Sequence, residues 1–199
     1  MESLSLYPIA LDLRGRRCVV VGGGAVGRRK AEALREAGAD VHLLSLESTG
    51  PFEASQLDGA FLVVAATDDP EVNDSVAQAA RAREALLNLA APGTEAESGD
   101  FTTMATVRRG GLLLAVATGG AGPALSARLK QELQSQFGPE WALWVAVLAE
   151  VRQEARKRIA DPEERARRLR VLAGRDDLLE KLRDGDIDGA LQGAAACLS

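Results

Sequence analysis

The run from Arg17 to Lys30, RCVVVGGGAVGRRK, limits the possible folds more than any other part of the chain. An apolar, β-branched strand runs into a glycine turn, and the turn runs into an alanine-rich amphipathic segment closed by Gly38. Gly22, Gly24 and Gly27 stand in G-x-G-x-x-G register. In that register the first glycine allows a tight turn, the second lets backbone approach a pyrophosphate, and the third lets the helix pack close on the strand. The helix start then offers free N–H groups and a partial positive charge to an anion. The segment reads as a dinucleotide site, with Gly22, Gly24, Ala25, Val26 and Gly27 as its first cofactor-binding candidates.

From Val19 on, short β-branched runs alternate with helical repeats, the pattern of βαβ units and a parallel sheet. The spacing predicts strands near 17–22, 40–45, 60–66 and 86–90, helices near 25–37 and 70–84, and a short helical turn from Phe52 to Leu57. Between Phe101 and Thr118 two apolar runs flank Arg108-Arg109-Gly110-Gly111, which fits a hairpin or a strand pair. After Pro123 a helix carries Leu125, Leu129, Leu133 and Phe137 four apart, a stripe that serves either as core or as a dimer seam. Pro139 opens a second apolar helix with Trp141 and Trp144, and charged helices follow with breaks at Asp161-Pro162, Gly174 and Gly185. The expected architecture is an α/β Rossmann-type parallel-sheet domain over 1–112, a dimerisation segment over 113–140 and a small C-terminal helical domain over 141–199.

At 199 residues and 46% hydrophobic the chain can bury a substantial core. No apolar run is long enough to cross a bilayer, and the first residues lack signal-peptide character, so a cytoplasmic protein without a membrane partner is expected. The net charge of -5 argues against general nucleic-acid binding. Two cysteines, Cys18 and Cys197, and one histidine, His42, provide neither a disulfide framework nor metal-ligand spacing, so no metal site is expected. The arginines from Arg152 to Arg170 alternate with acids at helical spacing and read as a salt-bridged, solvated face.

At the end of the second predicted strand, where a Rossmann unit reads the adenine ribose, the sequence is Ser45-Leu46-Glu47 with no arginine following directly. NAD is therefore favoured over NADP, and Ser45 is either a ribose contact or a cap of the strand. Ala65-Ala66-Thr67-Asp68-Asp69-Pro70 leaves the third strand at its carboxyl end. There Thr67 is a candidate for a ribose or pyrophosphate oxygen, and Asp68 is expected to cap the next helix. Asn88 ends the fourth strand on the nicotinamide side of the crevice.

The ordered set of motifs resembles the precorrin-2 dehydrogenase and sirohydrochlorin ferrochelatase family, which includes the N-terminal module of siroheme synthase. The likeness runs from LYPIALDLRGR at Leu6–Arg16 through GGGAVGRRK, AATDDP with Asn73, Asn88 and VRRG, and closes on AVATGGAGPALSARL at Ala115–Leu129. The resemblance implies a Rossmann domain, a homodimer and NAD-dependent oxidation of precorrin-2 to sirohydrochlorin, with iron insertion in some members. It also implies a catalytic aspartate shortly after Asn88, but counting along this chain places Ala91 there. Either an acid of the following loop (Glu95, Glu97 or, best placed beside Phe101, Asp100) substitutes, or that chemistry is absent. Precorrin-2 carries many carboxylates, so Arg109, Thr118, Gly119 and Arg128, at the arginine turn and the glycine-rich helix start, are the substrate-binding candidates. The expected function is an NAD-dependent precorrin-2 dehydrogenase with weak or no chelatase activity and a separate chelatase downstream. The alternative is an NAD(H)-sensing regulatory Rossmann module without catalysis.

Overall fold

A computed structural model describes residues 6–90, 99–119 and 122–198. The chain divides into two compact units that meet between Thr103 and Met104.

The first unit is built on four parallel strands, β1 (Arg17–Val21), β2 (Asp40–Leu44), β3 (Leu62–Ala65) and β4 (Leu86–Leu89), in the order β2-β1-β3-β4. Helix α1 (Ala25–Glu36) connects β1 to β2, a short helix α2 (Leu46–Thr49) follows β2, a 3₁₀ turn occupies Ala54–Leu57, and α3 (Pro70–Arg81) connects β3 to β4. Val19, Val21, Val63, Ala65 and Leu87 form one face of the sheet with Val76, Ala77 and Ala80 of α3. Cys18, Val20, Leu62 and Val64 form the other with Ala31 and Leu34 of α1 and with Phe101. Because helices cover both faces, the strands read as continuous apolar runs instead of alternating ones. The strand order turns at β1, with β2 on one side and β3 on the other. The carboxyl ends of β1 and β3 therefore frame the crevice where such sheets bind ligands.

Each predicted strand and helix of this unit is present, most of them shortened by a residue or more at an end. The third helix stops at Arg81, well before residue 84, because the chain reverses at Glu84 with φ of 54°. Helix α2 was not anticipated; four residues are too few to show a period.

In the second unit β5 (Ala105–Arg109) pairs antiparallel with β6 (Leu112–Val116), and Arg109 opposite Leu112 leaves Gly110-Gly111 as the turn. Gly110 has φ of 56°, a conformation that favours glycine. Five helices follow: α4 (Pro123–Gln136), α5 (Glu140–Arg158), α6 (Pro162–Ala173), α7 (Asp176–Arg183) and α8 (Ile187–Ala196). Trp144, Val147, Val151 and Ala155 of α5 lie one turn apart and bury against Leu172, Leu178, Leu182, Ala190 and Ala194. Asp161 caps α6 ahead of Pro162. On the outer surface Glu154 pairs with Arg158 and Glu164 with Arg167 and Arg168, which hold the Glu164 carboxyl down at about 2. Helix α4 contributes no buried residue: Leu125 is 44% exposed, and Leu129, Leu133 and Phe137 are half-buried.

Candidate functional site

At the carboxyl ends of β1, β2 and β3 the first unit opens a cleft of about 670 Å³. Its walls include Gly22–Gly24, Ser45, Phe52, Ala66, Thr67 and Val72. The three fingerprint glycines have different reasons to be glycine. At Gly22, φ is 125° and an added Cβ would lie 2.2 Å from the Ala66 carbonyl oxygen. At Gly27 an added Cβ would lie 1.9 Å from the Gly22 carbonyl oxygen, so this glycine seats α1 directly on the turn. At Gly24 an added Cβ meets no protein atom within 4 Å. Gly24 is the backbone N-cap of α1, with no side-chain cap and no acid in the first turn. The exposed amides at Ala25 and Val26 therefore open onto space that protein leaves free. An anion approaching that helix start meets its N–H groups and the positive end of its dipole. These features fit the pyrophosphate of a dinucleotide.

Ser45 lines the cleft, but its hydroxyl accepts from Ser48 N–H at 3.2 Å and shares a 2.7 Å hydrogen bond with the Ser48 hydroxyl, making it the N-cap of α2. No lysine, arginine or histidine lines the cleft, whereas Asp68, Asp69 and Glu71 do.

Thr67 is held by a buried amide. Thr67 N–H and Oγ1 approach Asn73 Oδ1 at 3.1 and 2.8 Å, and Asn73 Nδ2 donates back to the Thr67 carbonyl at 3.0 Å. Asn73 is 1% exposed and lies on the face of α3 that carries Val76, Ala77 and Ala80. Its part in shaping the cleft was missed from the sequence; the signal for it was an amide in register with that apolar face. The cap of α3 is Asp69, which accepts from Glu71 and Val72 N–H at 2.9 and 3.4 Å, and not Asp68 as the sequence reading had it. With Pro70 at the first helical position, the cap falls on the residue directly before it.

Asn88 is 5% exposed; its Nδ2 donates to the Phe101 carbonyl at 2.8 Å, and its Oδ1 is buried with no hydrogen-bond partner. Asp100 lies alongside β4: its N–H donates to the Leu87 carbonyl, and its Oδ2 accepts from Leu87 N–H, both at 2.8 Å. Gly99 makes this approach possible, since a Cβ there would stand 2.5 Å from Leu87 O. Ala91, Glu95 and Glu97 lie outside the described residues.

The remaining candidates belong to the second unit. The Arg109 guanidinium donates to the carbonyls of Phe137 at 2.8 Å and Gln134 at 3.2 Å, tying the hairpin to the carboxyl end of α4. Thr118 shares a 3.0 Å hydrogen bond with Ser126, Gly119 has φ of 59°, and Arg128 is exposed, 3.3 Å from Glu132. Gly122, the N-cap of α4, brings no side-chain cap, leaving a second open helix start. Among the described residues no cluster of histidine, cysteine and acids could hold a metal, and no helix is long and apolar enough to cross a membrane.

Residues 9–105 match the NAD_binding_7 family, described as "Putative NAD(P)-binding". The chain is 36% identical over 182 residues to a siroheme synthase of Methylobacillus flagellatus, an overlap covering 83% of this chain and 38% of the relative. It is 33% identical over 215 residues to one of Xylella fastidiosa, covering 98% and 44%. This chain thus spans about two-fifths of the length of these relatives. Among solved structures, "SirC, precorrin-2 dehydrogenase" shares the fold, with a TM-score of 0.70 and 24% identity over 95% of this chain and 98% of that one. Over most of its own length this chain is thus similar to part of the siroheme synthases, and its residues 9–105 are similar to an NAD(P)-binding family.

Proposed function

We propose that the protein is an NAD-dependent dehydrogenase that oxidises precorrin-2 to sirohydrochlorin. The observation that carries this reading is the free space at Gly24 in front of an uncapped helix start, in a chain similar to part of the siroheme synthases. NAD supplies the hydride acceptor. The protein's own part is to hold the dinucleotide by the α1 amides and the Thr67 turn, to present the nicotinamide side beside Asn88, and to fix the macrocycle against it by its carboxylates. Within the second unit, Thr118, Gly119 and Arg128 at the open start of α4 are proposed to bind carboxylates of the substrate, with Arg109 tying the hairpin to the end of α4. Anaerobic incubation with precorrin-2 and NAD is expected to yield the sirohydrochlorin spectrum and one NADH per product. NAD binding with no turnover would establish the sensing alternative instead.

A cleft lined by Asp68, Asp69 and Glu71 and by no cation disfavours a 2′-phosphate. NADP is expected to bind at least about tenfold more weakly than NAD at low salt, with the gap narrowing as ionic strength rises. Calorimetric titration of both dinucleotides checks it, and equal affinities would remove the assignment.

Metal insertion requires pyrrole nitrogens to lose protons as the cation enters, and a nearby carboxylate assists both events. The family's aspartate position is alanine here, and the carboxylate of Asp100 is engaged at Leu87. We expect little acceleration over the protein-free rate when sirohydrochlorin and Fe(II) or Co(II) are supplied anaerobically, and a separate chelatase to complete the pathway. A fast catalysed rate abolished by Asp100→Ala would show that Asp100 has taken over the missing role, and a fast rate surviving that change would refute the argument.

The segment 113–140 is assigned to self-association. Leu113 and Leu125 are 41% and 44% exposed, and no residue of α4 is fully buried within the protomer. A homodimer formed there would cover this surface. Light scattering at micromolar concentration should give twice the chain mass, and Leu125→Glu should shift the species toward monomer.

A further inference from the structure

Lys30 occupies the second turn of α1 and is half-buried there. Its ammonium donates to the Thr103 hydroxyl, and no carboxylate among the described residues pairs with it. Burial, followed by the charge of Arg29, pushes this ammonium below the usual lysine range. A partly desolvated cation held by a hydroxyl and by no carboxylate among the described residues is costly to maintain, and it gains by pairing with an anion.

A second, independent observation falls on the same stretch of chain. Asn88 Oδ1 is buried without a partner, while its amide nitrogen is anchored on the Phe101 carbonyl. The segment Phe101–Thr103 is therefore held at one end by Asn88 and at the other by Lys30. Asn88 pairs in register with Val64, on the sheet face that α1 covers. Neither Lys30 nor Asn88 lines the cleft bounded by Ser45, Phe52 and Val72. A cation held by a hydroxyl and by no carboxylate among the described residues, and an acceptor without a partner, thus lie at the two ends of the Phe101–Thr103 segment, outside the cleft that would receive the adenosine.

We propose that Lys30 is a substrate-binding residue that anchors one carboxylate of the macrocyclic substrate near the carboxyl end of β4, where Asn88 holds the Phe101–Thr103 segment in place. This rests on the dehydrogenase reading above. The closed dinucleotide fingerprint already supplies backbone N–H groups for the pyrophosphate at Gly24 to Gly27, leaving the Lys30 charge for another anion.

The test compares Lys30→Met, which keeps length and removes charge, with Lys30→Gln and Lys30→Arg. With NAD saturating, KM for precorrin-2 is expected to rise about ten- to a hundredfold in the Met and Gln variants, kcat to stay within about threefold, and Arg to recover most of the loss. NAD affinity and thermal midpoint should stay near wild type. Unchanged KM in both uncharged variants overturns the proposal. So does a loss confined to NAD affinity, which would assign Lys30 to a cofactor phosphate. Uroporphyrin, a planar polycarboxylate, provides a readout independent of turnover. If the wild-type protein does not oxidise precorrin-2 but binds uroporphyrin, weaker binding by Lys30→Met upholds the carboxylate site while the dehydrogenase reading fails, and equal binding overturns both.

Discussion

Replacing Gly24 with valine is expected to leave the protein folded and remove its NAD binding. At this position φ is -71° and ψ is -179°, ordinary extended backbone that suits a β-branched residue, and no protein atom lies within 4 Å of the new Cβ. The side chain would instead occupy the approach to the amides that open α1. Loss of several charge-assisted hydrogen bonds at once corresponds to a fall in affinity of at least about a hundredfold. The thermal midpoint should fall by only about 5 °C, the cost of a poorer N-cap residue. Gly27→Ala is the informative contrast, because its Cβ would collide with Gly22 O and the damage would appear in stability first. Calorimetric titration and thermal unfolding of both variants decide the matter. Near-wild-type NAD affinity in Gly24→Val would mean that the dinucleotide does not pass this glycine.

Asn73→Ala, behind the wall of the cleft, is expected to be strongly destabilising. The amide accepts from Thr67 N–H and Oγ1 and donates to the Thr67 carbonyl, and alanine would leave those partners facing a cavity 1% open to solvent in the present fold. Stranded polar groups and lost packing together cost about 2–4 kcal/mol. For a unit of this size that lowers the midpoint by roughly 10 °C or more. Because Thr67 lines the cleft, NAD affinity should fall by about tenfold as well. Asn73→Asp keeps the acceptor and loses the donor, so its stability should lie between the two. Equal midpoints for wild type and Asn73→Ala in chemical and thermal unfolding would show that the amide is dispensable.

What the sequence made legible follows from the range of the interactions involved. The strand, glycine turn and helix at 17–36 were readable because their determinants are local: backbone sterics at glycine, β-branching and a helical period. The helical unit after Pro139 was readable for the same reason, from its apolar run with Trp141 and Trp144 and its proline and glycine breaks. The destinations of polar side chains were less legible. Ser45 lies at the predicted strand end, but its hydroxyl caps a four-residue helix. Arg109 lies at the predicted turn, but its guanidinium closes α4, 25 to 28 residues farther along the chain. Asp100 pairs with Leu87, 13 residues before it. Each of these partners is fixed by tertiary approach, which neither periodicity nor motif spacing encodes.

The contact between Asp100 and Leu87 bears on how this sheet coexists with other proteins. Among the described residues β4 is the last strand in the order β2-β1-β3-β4, and Leu87 presents both its N–H and its carbonyl on its outer flank. Unpaired groups on such a flank recruit any extended chain that comes near, and apolar strands such as LLNL are prone to it. Asp100 imitates a single residue of a fifth strand, one backbone donor and one carboxylate acceptor, and then the chain moves on. At Leu87 the border is satisfied without being extended, so this part of it offers no template for a neighbouring strand. The acid beside Phe101 thus blunts one residue's length of the sheet edge against pairing with another chain.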